Sequence, residues 1–105
     1  MPYIELKTTA SISPEKSKSL KAAFGKAIES FPGKSESWLM VNLSGNEDMY
    51  FKGSNSADCA MVSVDLLGSV SSAASEKMTA ALCSVLSSEL SIAPDRVYVK
   101  YSGFS

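Results

Sequence analysis

The sequence contains no histidine. Imidazole is the usual side-chain base near neutral pH and the commonest metal ligand, so histidine-based triads and most zinc sites are excluded. Any acid–base chemistry must use another group, and neither a metal nor an organic cofactor is expected. Cysteine is scarce too: Cys59 and Cys83 are far apart and fall in different predicted elements. In a chain without a secretory leader such thiols are expected to be buried and reduced rather than paired. No apolar run approaches the roughly 18 residues of a membrane span, and the start lacks the n-region and h-region of a signal peptide. The expected location is cytoplasmic, with a leaderless route if the protein is secreted, and no membrane partner. Long runs of Lys and Arg are missing as well. Ten basic and eleven acidic residues leave a net charge of −1, so no nucleic-acid partner is expected. Lys16, Lys18, Lys21 and Lys26 spread along one predicted helix as its solvated face.

What is present suits one domain. The 105 residues are 45% hydrophobic and 20% charged, enough for a modest core and too apolar for a disordered chain. Residues 2–9 alternate, with Ile4 and Leu6 on one side and Tyr3, Glu5 and Lys7 on the other, which predicts a strand with one apolar face. Ser13-Pro14-Glu15 reads as an N-cap, a first-turn proline and an acidic first turn. Leu20, Ala23, Phe24, Ala27, Ile28 and Phe31 then recur at helical spacing, predicting a helix over 14–30 that Pro32-Gly33 stops. Alternation returns over 37–43, with Leu39, Val41 and Leu43 inward.

The second half repeats this order. Residues 59–67 form a strand with Ala60, Val62, Val64 and Leu66 as its apolar set. A helix follows at about 73–90 on the stripe Met78, Ala81, Leu82, Val85, Leu86 and Leu90, and residues 96–101 form the last strand. Between the halves lies a short extended piece, Met49-Tyr50-Phe51. "LMVNLSG" (39–45) and "VYVKYSG" (97–103) share pattern and ending, so the chain reads as two tandem β-α-β pseudo-repeats, about 2–45 and 58–103. The fold class is α+β, a two-layer sandwich: a four-stranded mixed sheet with two helices on one face. A ferredoxin-like arrangement, in which strands of the two halves interleave, fits the same element order. Strand adjacency separates the two, and sequence does not supply it.

The other sheet face carries Tyr3, Glu5, Lys7, Trp38, Met40, Asn42, Met61, Ser63, Asp65, Tyr98 and Lys100. It holds more apolar surface than an isolated monomer usually displays, and other subunits are expected to cover part of it. A plainly solvated face with scattered aromatics is the competing reading. Pro2 stands directly behind Met1. Proline is common enough for chance, but removal of Met1 would leave Pro2 with a free secondary amine.

Four segments carry a resemblance to a known family. They are the strand beginning at Pro2, "PGKSESWLMVNL" (32–43), "FKGSNSADCAMVSVDLLGSV" (51–70) and "IAPDRVYVKY" (92–101). Together the sequence resembles the macrophage migration inhibitory factor (MIF) branch of the tautomerase superfamily, from Pro2 to about Tyr101. The resemblance implies the tautomerase fold and a homotrimer whose sheets surround a central channel, with strand edges paired across subunits. It also implies keto–enol tautomerase activity on phenylpyruvate-like arylpyruvates, in sites at subunit interfaces, with the N-terminal proline, here Pro2, as catalytic base. Lys34 matches the family's carboxylate-binding lysine, Leu67 a position whose backbone N–H contacts substrate, and Tyr98 a tyrosine from the neighbouring subunit. Trp38 falls where an aromatic wall is expected, and Lys100 stands beside the pocket where vertebrate members have asparagine. Taken alone, Lys34 reads as a turn lysine, and Tyr98 and Trp38 as ordinary aromatics.

The chemistry suits an amine. Enolisation removes a proton from carbon beside a carbonyl, and a base works best with a pKa near ambient pH. Peptide α-amines titrate near about 7.7–8.0, and apolar surroundings or a neighbouring ammonium lower that value. Besides Lys100, three departures from the family pattern stand out. Cys59-Ala-Met-Val62 replaces a Cys-x-x-Cys, Lys52 interrupts a Phe-Gly-Gly pattern, and the chain stops at Ser105 before the tail that supplies an apolar pocket wall. A more open pocket is therefore expected. The alternative function is a non-enzymatic MIF-like cytokine or interaction protein, with a protein receptor as partner.

Overall fold

The computed structural model describes residues 1–104. Four strands, β1 (Pro2–Thr8), β2 (Met40–Ser44), β3 (Ala60–Leu67) and β4 (Val97–Phe104), form one sheet in the order β2-β1-β3-β4. Two helices, α1 (Pro14–Ala27) and α2 (Ser72–Leu90), cross between the members of the parallel pairs β1/β2 and β3/β4. The central pair β1/β3 is antiparallel. Each β-α-β unit therefore keeps its own two strands adjacent. The interleaved ferredoxin-like order is not adopted.

Local chemistry explains the helix ends. The Ser13 hydroxyl accepts the N–H of Lys16 at 3.1 Å, with Pro14 at the first helical position, where its missing N–H costs nothing. Ser71 caps α2 in the same way through the N–H of Ala74 at 3.3 Å. At the other end of α2, Ser91 takes a left-handed conformation (φ 56°), and the Ile92 N–H returns to the Leu86 carbonyl. That return carries Ile92 into the core, where it is 1% exposed.

Leu20 and Phe24 from α1, Ile28 from the 3₁₀ turn that follows it (Ile28–Ser30), and Met78, Leu82 and Leu86 from α2 pack onto Ile4, Leu6, Val62, Val64 and Leu66 of the central strands. All eleven are fully buried, and each aliphatic side chain removed from water in this way contributes roughly 1.5–3 kcal/mol. Ala10, Ala74 and Ile92 complete the core beyond the positions that periodicity picked out. Both cysteines are free thiols, Cys59 buried and Cys83 half-buried.

Two strand boundaries differ from expectation by three residues, the others by no more than one. The strand predicted over 37–43 begins only at Met40, and Trp38 lies on a single 3₁₀ turn, Glu36–Trp38. Register gives the reason. Met40 pairs with Tyr3, which would set Leu39 against Pro2, a residue with no N–H, and leave Ser37 beyond the start of β1. The turn satisfies these backbone groups locally: the Ser35 hydroxyl accepts from the Ser37 N–H and the Glu36 carbonyl from the Leu39 N–H. At the other end β4 runs past Tyr101 to Phe104, because β3 still offers Leu66 and Leu67 as partners for Gly103 and Phe104. Met49-Tyr50-Phe51 joins no strand of the sheet. Phe51 makes one antiparallel bridge to Ser54 across a turn with positive φ at Lys52 and Gly53.

Candidate active site

The N-terminal end of β1 meets the C-terminal ends of β3 and β4 and the entry to β2, because parallel and antiparallel pairings alternate across the sheet. Pro2 opens β1, is buried, and pairs with Leu66. An apolar cavity of about 250 Å³ sits over it, lined by Met1, Pro2, Tyr3, Trp38, Met40 and Phe104. Trp38 overhangs from the 3₁₀ turn and is 79% exposed. The Tyr3 hydroxyl donates to the Glu5 carboxylate and accepts from the Asn42 amide, both at 3.1 Å, which ties down its polar end. A flatter depression of about 400 Å³ adjoins at Gly68, Ser69, Gly103 and Phe104 and has no ionisable side chain in its lining.

Lys34 reaches this end of the sheet from the α1–β2 connection. Gly33 takes a positive φ of 81°, and the Lys34 N–H donates to the Phe31 carbonyl at 3.1 Å. The turn aims the Lys34 side chain at β3, where Nζ donates to the Leu67 carbonyl at 3.0 Å. The N–H of Leu67 meanwhile donates to the Met1 carbonyl at 3.3 Å. Both polar groups of Leu67 are thus engaged at this end of the sheet. One holds the ammonium and the other holds the residue ahead of Pro2. With Met1 attached the Pro2 nitrogen is an amide and carries no basic lone pair.

Pro2 and Trp38 therefore line the cavity, and Lys34 and Leu67, bonded to each other outside its lining, lie at the same end of the sheet. Tyr98 and Lys100 lie elsewhere. Tyr98 pairs with Met61 and, through it, lines up with Lys7, five residues along β1 from Pro2 or roughly 16 Å at the usual strand rise. Its ring meets Phe51 edge-on at 5.3 Å, and it is 63% exposed. Lys100 lies in register with Ser63 and Glu5, also away from the cavity. Sequence reasoning missed Phe104 and did not place Tyr3 and Met40 at the site. The signal for Phe104 was the period-two series 98, 100, 102, 104 on one face of β4, which the Ser102-Gly103 pair obscures. Among the described residues no group of three or more His, Cys, Asp or Glu side chains is placed to hold a metal ion.

A sheet of two tandem β-α-β units, with both helices on one face and a proline-floored cavity at the head of the first strand, defines a tautomerase-fold domain. The chain belongs to the macrophage migration inhibitory factor family, whose profile, "Macrophage migration inhibitory factor (MIF)", matches residues 1–105. It is similar to the macrophage migration inhibitory factor of Mus musculus, 35% identical over 69 residues, or 66% of this chain and 59% of the mouse protein. The Rattus norvegicus protein matches over the same shares. The matched stretch thus spans under two thirds of these relatives' own length. Among solved structures, Leishmania major MIF2 superposes with a TM-score of 0.90 at 28% identity, covering 99% of this chain and 89% of that one. The MIF-like protein of Entamoeba histolytica gives 0.88 at 16% identity over the same shares, a likeness of fold alone.

Proposed function

We propose that this protein is a keto–enol tautomerase of phenylpyruvate-like arylpyruvates, with the Pro2 amine as its base once Met1 has been removed. The observation that carries the reading is the convergence at one sheet end of a buried Pro2, an apolar aromatic cavity and a tethered lysine. The amine takes a proton from the carbon next to the keto group as the carbon–carbon double bond forms, and the resulting ammonium returns it to the former keto oxygen, which regenerates the amine. Lys34 pairs with the substrate carboxylate. Removal of Met1 has two effects: it converts an amide to an amine, and it releases the Leu67 N–H for a substrate oxygen. Apolar walls and a nearby ammonium both disfavour a charged amine, which keeps the base in its accepting form.

Tyr98 joins such a site only from a second copy of the chain, since within one chain it lies at the other end of the sheet. The exposed Trp38, Met40 and Tyr98 suit a homotrimer that covers this surface. Light scattering at the mass of three chains is the expected result, and a monomer would remove Tyr98 from the site.

Intact mass, followed by a phenylpyruvate tautomerase assay on the processed protein and on Pro2→Gly, tests the reading. Turnover in the wild type that drops at least a hundredfold in the variant is expected, the scale of a lost general base. Processed wild type without turnover, or a variant that equals it, overturns it. A second reading, a binding protein that works without turnover, is favoured by one observation, the exposed aromatic and apolar surface of Trp38, Met40, Tyr50 and Tyr98.

A further inference from the structure

We propose that Phe104 is a specificity-determining residue of this site, an aromatic wall that selects arylated 2-keto acids over aliphatic ones; this rests on the tautomerase reading above. Trp38 precedes β2 and Phe104 closes β4, so they come from opposite edges of the four-stranded sheet. Three inter-strand steps, about 14 Å, separate those edges. Both side chains nevertheless line the one cavity over Pro2. Phe104 is 46% exposed, with a ring face still free to meet a ligand.

Two glycines seat it. Gly68 leaves β3 with a φ of 106°, in the region that favours glycine, and its N–H donates to the Phe104 carbonyl at 2.7 Å. A Cβ at Gly103 would collide with the Gly68 carbonyl oxygen, so only glycine lets β4 lie this close to the turn. The same Leu67–Gly68 peptide unit accepts the Lys34 ammonium at its carbonyl. The Lys34 ammonium and the Phe104 backbone are thereby held by one rigid peptide unit, with the Pro2 cavity that the Phe104 ring lines beside them. A cation beside an aromatic-lined cavity suits a molecule with a carboxylate at one end and an aryl ring at the other. A small aliphatic 2-keto acid uses the cation and leaves the ring untouched.

Trp38 is the sole tryptophan and lines the cavity, so its emission reports occupancy directly. Processed wild type and Phe104→Ala are titrated with phenylpyruvate and with pyruvate, which shares the keto-acid head and lacks the aryl group. The wild type is expected to bind phenylpyruvate more tightly than pyruvate. Phe104→Ala is expected to raise the phenylpyruvate Kd about tenfold, the scale of a lost aromatic pair with its buried area, and the pyruvate Kd by less than about twofold. Equal shifts for both acids, no shift for either, or a wild type that does not favour the aryl acid overturns the proposal. Binding is read without turnover. A wild type that binds phenylpyruvate but does not isomerise it therefore defeats the tautomerase reading while the Phe104 comparison still decides this one.

Discussion

Lys34 and Phe104 are tied to opposite sides of a single peptide unit. Lys34 Nζ donates to the Leu67 carbonyl at 3.0 Å, and across the same C–N bond the Gly68 N–H donates to the Phe104 carbonyl at 2.7 Å. The two residues stand 70 positions apart in the chain, as their numbers give (104 minus 34), and come from different β-α-β units. The turn after β3 joins them. It also gives Leu67, an exposed residue with no polar side chain, a part in this contact through its backbone.

Removal of the ammonium tests the anchor. Lys34→Ala is expected to lower kcat/KM for phenylpyruvate about tenfold to a hundredfold, chiefly through KM, since a charge-assisted hydrogen bond contributes roughly 1.5–3 kcal/mol. Lys34→Arg should recover part of that loss. The fold should stay within about 1 kcal/mol of wild type, because the lysine is partly exposed and its bond to Leu67 lies at the surface. Steady-state kinetics with urea unfolding checks both parts. An unchanged KM in Lys34→Ala would remove Lys34 from substrate binding.

The close approach of β4 to the turn at Gly68 makes a second prediction. Gly103→Ala forces its new methyl against the Gly68 carbonyl, and overpacking of this kind costs about 1–3 kcal/mol. Gly33→Ala, where a Cβ meets nothing within 4 Å but φ is 81°, should cost only the roughly 1 kcal/mol of left-handed strain. The urea midpoint of Gly103→Ala is thus expected below that of Gly33→Ala. The reverse order would show that the turn yields without cost.

A third prediction concerns alkaline pH. Tyr101 lies between the sheet and α2, its hydroxyl bonded with Thr79 at 2.8 Å and donating to the Ser75 carbonyl at 3.1 Å. Burial pushes its phenol above the ordinary 10.0, the Thr79 bond offsets part of this, and the nearby Cys83 adds to it. Burial likewise raises the Cys83 thiol above its ordinary 9.0. Both groups are neutral when protonated, and the unfolded chain loses those protons first. Their contribution is therefore intact below about pH 9 and is lost as pH rises through the folded-state values. Urea unfolding at pH 8 and at pH 10.5 should show lower stability at the higher pH, with a smaller drop in a Tyr101→Phe, Cys83→Ala double variant. An equal drop would place the alkaline sensitivity elsewhere.

Periodicity and caps made the elements legible, since both depend on neighbours a few residues away. Ser13-Pro14 and Pro32-Gly33 bounded α1 and the turn that follows it, and the alternation around Ile4 and Val62 marked the central strands. Lys34, Trp38 and Leu67 were legible as site candidates only through the family's motifs, because nothing in their local spacing joins them, whereas Pro2 also stood out by the amine that loss of Met1 would free. Trp38 was placed on a strand for a local reason as well: alternation reads on through 37–39, whereas pairing stops where β1 runs out of partners.

The sequence by itself determined the two-fold β-α-β order, the apolar face of each strand and helix, and the absence of imidazole chemistry. These follow from composition and from contacts near in the chain. Only the tertiary structure decided that β1 lies between β2 and β3, that Tyr98 stands at the far end of the sheet from Pro2, and that Phe104 lines the cavity with Lys34 bonded to the turn beside it. Those facts depend on register and on one peptide unit bridging distant segments. Such long-range pairings are set by packing all the strands at once, which no local pattern encodes.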